Sequence, residues 1–480
     1  MKHVRWMSRL SFKILLSTIG TGFLMLVAGL GDGLAQPAGD NVNIAAPNGK
    51  ILRLEEAIQT ALEKNLQLQA ARKGASAASW GVKNAYTQFL PSVNLELRYA
   101  RLDASTVRRA NSFINIISDP NSPFYVPPEF RRDIRPAAWQ DSYGPSVSVT
   151  QPIFTGGTLF ANVNVAQAQD MTAQANLATT EQQVIYNTQR AYFDVLRAHE
   201  LLAVAKEVLQ AADEHLNSAR KQVEAGLRSK TEILRWEVQK ANAESNVLRA
   251  ENALVLSRPA LNQVLGLDLN TEYNVAPVEN LQVEVPATIE ERTAVALRKN
   301  PALRVAEANV DLAGAQVQVE RANFTPKVSL AYNYSWEANN TLKLDSYKTW
   351  SLGIVAQFPI FNSFRDYTNL QKAQETKKQT EDLQQDFDRG LRLQVLQASQ
   401  NLELAEKQLV ITEKARAQAE ENFRVNKHSY EVGLASNLDF LDAQNAQSQA
   451  RWDKVNARYD FLLAKTALAQ AMGVLRAGNQ

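Results

Sequence analysis

A chain of 480 residues carries 52 basic and 50 acidic side chains, a net charge of +2 and no cysteine. The balance of charge removes any strong signal for nucleic acid. The missing cysteine removes zinc–thiolate sites, thiol catalysis, disulfides and an N-terminal lipid-modified cysteine.

The chain opens on Lys2, Arg5, Arg9 and Lys13, followed by the apolar run Ile14 to Leu30 and the small-x-small step Gly33-Leu34-Ala35. Residues 1–35 therefore read as an export signal peptide. The run is long for a signal, so an uncleaved anchor stays open as the alternative. No later segment reaches the ~20 apolar residues a helix needs to cross a bilayer. A first repeat is expected over 36–266. It begins with helical sequence over 54–88 and a strand over 92–100, in which Val93, Leu95, Leu97 and Tyr99 alternate with Ser92, Asn94, Glu96 and Arg98. A long Pro- and Arg-containing loop leads to a second strand over 143–152, with Tyr143, Val147 and Val149 on one face. Pro152 lacks an N–H and fixes φ, which suits a corner where sheet pairing stops and a helix begins.

From Thr158 to Ala225 there is neither Gly nor Pro, and Ala, Gln, Glu, Leu and Asn dominate. A helix over 158–225 would be roughly 100 Å long at 1.5 Å per residue, far beyond the globular average of about 11–12 residues. Gly226-Leu227 marks a turn, and a return helix is expected over 229–265. Residues 267–288 form a linker, and a second repeat over 289–480 runs through the same series. It has helical sequence over 289–323, strands over 327–336 and 348–358, and a corner at Pro359. A long helix over 363–432, the turn Gly433-Leu434 and a return helix over 437–472 complete it.

The two halves match residue by residue. Pro152, Gly226, Ser229, Leu234, Leu261, Gln263 and Gly266 recur 207 positions later as Pro359, Gly433, Ser436, Leu441, Leu468, Gln470 and Gly473. Nearer the N-terminus Leu62, Lys64, Asn65, Phe89 and Pro91 recur at a step of 235, as Leu297, Lys299, Asn300, Phe324 and Pro326. The difference between 235 and 207 places 28 extra residues in the first copy, between Tyr99 and Pro152. A tandem duplication usually builds repeated walls of one object.

Alternation over about ten residues, with aromatics near strand ends, marks transmembrane β-strands, and no other element is available to cover their apolar face. Four strands cannot close a barrel, and an open edge in lipid leaves backbone groups unsatisfied. Two chains would give the smallest bacterial barrel, about eight strands, whose interior side chains fill. A conduit needs a wider one, so three chains and twelve strands are expected.

Leu54-Glu-Glu-Ala-Ile-Gln-Thr-Ala-Leu-Glu-Lys-Asn65, Gln151-Pro-Ile-Phe-Thr-Gly-Gly157 and the two Gly-Leu turns occur in order within a duplicated frame. In this the chain resembles the TolC-like outer-membrane efflux proteins from about Leu54 to Gly473. The resemblance implies an internally duplicated α/β membrane protein of TolC type. Four transmembrane strands per chain would join a twelve-stranded trimeric barrel in the outer membrane of a Gram-negative bacterium, and long helices would form a periplasmic tunnel. The implied partners are a homotrimer, a periplasmic adaptor, an inner-membrane transporter and outer-membrane lipid. The implied function is a passive conduit for small molecules in a tripartite efflux system. The second reading is the channel of a type I protein secretion system. A periplasmic adaptor or coiled-coil tether is the reading from another class, against which two hairpins and lipid-patterned strands argue.

Site residues follow from the same resemblance. Tyr430, Asp439 and Asp442 match a closed entrance, and Glu232, 207 residues before Asp439, matches the acid that bonds the tyrosine. Asp439 and Asp442 are three apart and share a helix face, and three chains would ring one constriction with carboxylates that favour cations. Ala435 stands where the best-known member has an arginine, and Arg235 stands opposite Asp442 in the repeat, so a looser or differently wired latch is expected. Gly226 and Gly433 permit the positive φ of a tight tip, and Leu227 and Leu434 are expected as exposed anchors for an adaptor. No cofactor, metal site or catalytic residue is expected. His199-Glu200 lacks a second histidine four positions on, and no phosphate loop, nucleophile elbow or nucleotide fingerprint occurs.

Overall fold

The two proline-free stretches form single helices of 67 residues each. Toward its turn the first is held by a seven-residue seam. In the first, Ala198, Ala205, Ala212 and Ala219 are all buried, one every seventh residue. In the helix that returns along it, Trp236, Ala243 and Ala250 repeat the same spacing. Such a repeat keeps one seam turned toward the partner helix, and alanine lets the two backbones approach closely.

The structure is a computed structural model that describes residues 51–131, 134, 136–226, 228–278, 281, 285–339 and 347–475. The export segment lies outside these residues. In chain order the elements are β1 (Ile51–Leu52), α1 (Leu54–Lys64), α2 (Leu66–Thr87), β2 (Ser92–Arg101), α3 (Ala104–Ala110), α4 (Ser112–Ser118), β3 (Asp141–Phe154), α5 (Thr158–Glu224), α6 (Lys230–Leu265), β4 (Asn274–Val275), α7 (Ile289–Lys299), α8 (Pro301–Ala322), β5 (Lys327–Asn339), β6 (Tyr347–Gln357), α9 (Arg365–Glu431) and α10 (Asn437–Ala471). Among the described residues no helix is long and apolar enough to cross a membrane.

Helical sequence expected to run unbroken over 54–88 and 289–323 is interrupted at Asn65 and Asn300, which sit in extended backbone at ψ 120° and 119°. Pro301 accounts for the second break, because a proline pushes the residue before it out of the helical region. At both sites the asparagine caps the next helix, with Leu68 N–H donating to Asn65 Oδ1 (3.1 Å) and Ala302 N–H to Asn300 Oδ1 (2.9 Å). The other half of each amide reaches the end of a return helix. Asn65 Nδ2 donates to Val264 O of α6 (2.8 Å), and Asn300 Nδ2 to Ala471 O of α10 (2.9 Å). Gly266 and Gly473 then turn away at φ +70° and +71°. The joint is built twice, once per copy.

β2, β3, β5 and β6 form one antiparallel sheet in that order. Val93, Leu95, Leu97 and Tyr99 on β2, and Trp350, Leu352 and Ile354 on β6, are exposed. The enlarged loop is not irregular throughout. It holds α3 and α4, and Asn111 ties it together by donating to Ala138 O (2.7 Å) while accepting from Ala137 N–H (2.6 Å).

Pro152 does not end its strand, contrary to the sequence reading. β3 continues to Phe154, Pro152 lies opposite Ser329, and the register shifts between Pro152 and Phe154. A bulge leaves ladder groups unpaired and so tolerates a residue without an N–H. The corner comes after it, at Gly156 and Gly157, with φ +65° and +91°. In the second copy β6 ends at Gln357, two residues before Pro359. There the left-handed positions fall 207 residues on, at Ser363 (φ +51°) and Phe364 (φ +61°).

Midway along the helices lies the largest core. Tyr192, Phe193, Leu68, Leu261, Leu265 and Tyr459 pack beside the short parallel pair β1–β4. The linker is strapped to α10 by Arg458 Nη2, which donates to Val278 O (3.0 Å), and by Lys465 Nζ, which donates to Leu281 O (2.6 Å).

Candidate functional site: the hairpin tips

Both hairpins turn on glycine. Gly226 and Gly433 adopt φ +74° and +81°, and in the second turn Leu434 N–H returns to Ser429 O (2.7 Å). These bonds satisfy carbonyls that the end of a helix leaves open. Leu434 is 84% exposed. Leu227, its counterpart, lies outside the described residues.

Each return helix starts on a serine cap, but the residue three places on behaves differently in the two copies. In α10, Asp439 N–H donates to Ser436 Oγ (3.2 Å), while the Asp439 carboxylate accepts from Ser436 N–H (3.1 Å) and Ser436 Oγ (2.6 Å). This is a capping box. The hydroxyl and amide of Ser436 hold the Asp439 carboxyl below its ordinary range. Asp442 and Arg235 are exposed. The spacing Ser436-x-x-Asp439 was the signal for this cap, and the sequence reading passed over it. Replacing Asp439 with alanine is expected to speed amide exchange in the first turn of α10 several-fold, whereas alanine at Asp442 leaves that turn unchanged. Hydrogen-exchange mass spectrometry distinguishes the two.

Glu232, in the equivalent place on α6, turns toward the other hairpin. Tyr430 Oη donates to Glu232 Oε2 at 3.1 Å, 198 residues away in sequence. Burial first, then the Glu232 charge, push the Tyr430 phenol up to about 12, so it stays a neutral donor at any physiological pH. Arg228 completes the cluster. Its Nη1 lies 3.4 Å from Glu232 Oε1, its Nη2 donates to Tyr430 O (3.4 Å), and its guanidinium sits 4.5 Å from the centre of the Tyr430 ring. Sequence reasoning missed Arg228. Yet it is the residue 207 places before Ala435, so the arginine absent from the second tip stands at the equivalent position in the first.

Beneath the cluster lies an aromatic stack. Phe440 lies parallel to Tyr430 (centroids 5.0 Å, planes 7° apart) and stacks at 26° on Phe423 (5.6 Å), with Trp236 at 5.8 Å and His215 at 4.9 Å. Farther from the tips, α10 bridges both long helices. Arg451 reaches Glu207 of α5 (3.0 Å) and Glu420 of α9 (3.4 Å), Lys454 reaches Glu413 (2.8 Å), and Arg458 reaches Glu200 (3.1 Å). Half-exposed pairs of this kind contribute little, on the order of 1 kcal/mol apiece, and together they tie α10 to both long helices. Among the described residues, apolar side chains stay exposed along α6 and α9. On α6, Leu234, Val238, Leu248 and Val255 are exposed; on α9, Leu404, Ile411 and Val425 are exposed at multiples of seven, and Val432 just past its end continues the row.

Residues 57–267 and 294–474 match the family model described as outer membrane efflux protein, one segment in each copy. Outer membrane protein TolC of Vibrio cholerae is 25% identical over 266 residues, 53% of this chain and 59% of that protein. Alkaline protease secretion protein AprF of Pseudomonas aeruginosa is 25% identical over 260 residues, 53% of this chain and 54% of that protein. The chain thus spans little more than half the length of these relatives. The crystal structure of the Campylobacter jejuni CmeC outer membrane channel shares the fold, with a TM-score of 0.73 at 17% identity over 89% of this chain and 87% of that one. A duplicated frame, paired long hairpins and a family match over both copies converge: the chain belongs to the outer membrane efflux protein family and resides in the outer membrane with a periplasmic extension.

Proposed function

We propose that three copies close into one tube and serve as the outer-membrane channel of a tripartite efflux system, a passive conduit from periplasm to exterior. The observation that carries this reading is that the chain has two unfinished edges along its whole length. In the sheet β2 pairs only with β3 and β6 only with β5 among the described residues, and unpaired edges are not tolerated in lipid. Along the helices, the apolar face of α6 and the heptad row of α9 lie exposed. Joining β6 and α9 of one copy to β2 and α6 of the next satisfies both edges at once, and three copies make a barrel of twelve strands.

On this reading the tips form the entrance. Tyr430, Glu232 and Arg228 latch one hairpin to the other, and Asp439 and Asp442 supply the carboxylate ring. Gly226, Leu227, Gly433 and Leu434 present the surface for a periplasmic adaptor, which links the channel to an inner-membrane transporter. Small molecules are the first substrate class. Protein secretion is the second, supported by the similarity to a protein named for protease secretion. The detergent-extracted protein is expected as a heat-modifiable trimer of roughly 150 kDa that conducts ions in planar bilayers. A monodisperse monomer that still conducts would sink the architecture. Restored drug tolerance, as against restored protein export, in a strain lacking the chain decides between the substrate classes.

A further inference from the structure

We propose that His215 is a proton-responsive wedge that ties the closure of the hairpin tips to pH, loosening them as the medium turns acid. The inference rests on the channel reading of those tips. His215 lies on α5, where its imidazole packs against Trp236 of α6 (centroids 4.9 Å, planes 31° apart) and edge-on against Phe440 of α10 (4.9 Å, 83°). Trp236 and Phe440 are each 1% exposed. Phe440 in turn stacks on Tyr430, and Tyr430 holds Glu232. Three contacts therefore connect the imidazole to the latch, and each is tight enough that a displaced ring is felt by the next.

A neutral imidazole fits this seat as a flat aromatic body. A protonated one has to leave water for a largely apolar site. The charged groups around it divide. Lys427 on α9 opposes protonation, whereas Glu214 on its own helix and Glu431 on α9 favour it. On α6 the nearby Lys240 is engaged with Asp213 of α5 at 2.6 Å, and α10 meets the imidazole with the uncharged ring of Phe440. Attraction of the cation to the Trp236 face offsets part of the desolvation. Burial first, then Lys427, nevertheless leave the pKa below its ordinary value. With the folded pKa depressed, the stabilisation is fully present above the ordinary histidine pKa of about 6.5 and is lost as pH falls through the lower folded value. The loss therefore sets in below the ordinary histidine value, on the acid side of neutrality. It also belongs to one hairpin only, because the position 207 residues on is Asn422, which does not titrate.

The test compares the wild-type trimer with His215→Phe, which keeps a flat ring in the seat and removes the titration. In planar bilayers, taking the wild type from about pH 7.5 to about pH 5.5 is expected to raise opening frequency on the order of tenfold, and the variant is expected to stay flat. Hydrogen exchange across the end of α9 and the start of α10, corrected for the intrinsic pH dependence, should rise in the wild type alone. An acid response of equal size in His215→Phe, or none in the wild type by either readout, overturns the proposal. Acid-dependent exchange that requires His215 in a protein that never conducts supports the wedge while removing the channel reading. Should His215→Phe fail to assemble, His215→Gln gives the same comparison.

Discussion

Alanine at Gly266 is expected to remove most of the folded protein, destabilising each chain by roughly 3–5 kcal/mol. A Cβ there would stand 2.4 Å from Lys64 O and 2.7 Å from Lys64 C, both backbone atoms that no side-chain rotation can clear. The left-handed backbone adds about 1–2 kcal/mol for any residue with a Cβ. The joint cannot open to make room without breaking the Asn65 bond to Val264 O, and with it the cap on α2. Gly473→Ala should behave alike, since its Cβ would meet Asn300 Cα at 2.5 Å. Gly226→Ala and Gly433→Ala are the controls. Both share the left-handed backbone, but nothing lies within 4 Å of the added carbon, so only the conformational part is lost. Thermal melting and the yield of folded protein measure the difference. Equal losses at Gly266 and Gly226 would mean that the joint is not closely packed.

On the proposed channel reading, releasing the tips is the second large effect. Tyr430→Phe removes the hydroxyl that Glu232 accepts from, and Arg228→Ala removes the opposite charge, so the double variant leaves a carboxylate whose side chain is only 15% exposed without either partner. Bonds to charged groups contribute about 1.5–3 kcal/mol each before solvent screening. Water reaches this cluster, so the combined loss is set lower, at about 2 kcal/mol, a shift in the closed-to-open balance of roughly thirtyfold. Opening frequency in planar bilayers reads it directly. Each single variant should give a smaller increase, and alanine at Asp439 should give none, because its carboxylate is occupied by Ser436 rather than by the other hairpin. A double variant as quiet as the wild type would place closure in the Phe440 stack instead.

The parts of this fold that lie along one stretch of chain were legible in the sequence. Proline-free runs and a 207-residue step suffice for two long hairpins, because a helix and its turn are written in adjacent residues. What escaped depends on contacts between distant segments. The break at Asn65 has no proline to announce it and exists because the end of α6 docks there. Pro152 is held inside a strand by a bulge opposite Ser329, which no single-strand reading reveals. At the tips, Tyr430 and Glu232 carry a recognisable pattern, whereas Arg228 becomes visible only when the repeat is read backwards from Ala435. Asp439 was read for its charge, although its place three residues after a serine already described a cap. His215 belongs to no sequence motif, since the rings it packs against come from two other helices.

The left-handed corner between sheet and long helix also records a history. In the first copy it is made of Gly156 and Gly157, and at Gly156 even one added carbon would fall 1.4 Å from Thr325 Oγ1. In the second copy the same backbone is formed by Ser363 and Phe364, against a steric penalty of about 1–2 kcal/mol per residue. Copies within one gene drift independently, so each serves as a control for the other. A shape kept by both, with the easy residues and without them, is demanded by the surrounding architecture and not by the residues that happen to occupy it. The side chains at this corner differ between the copies; the path of the chain does not.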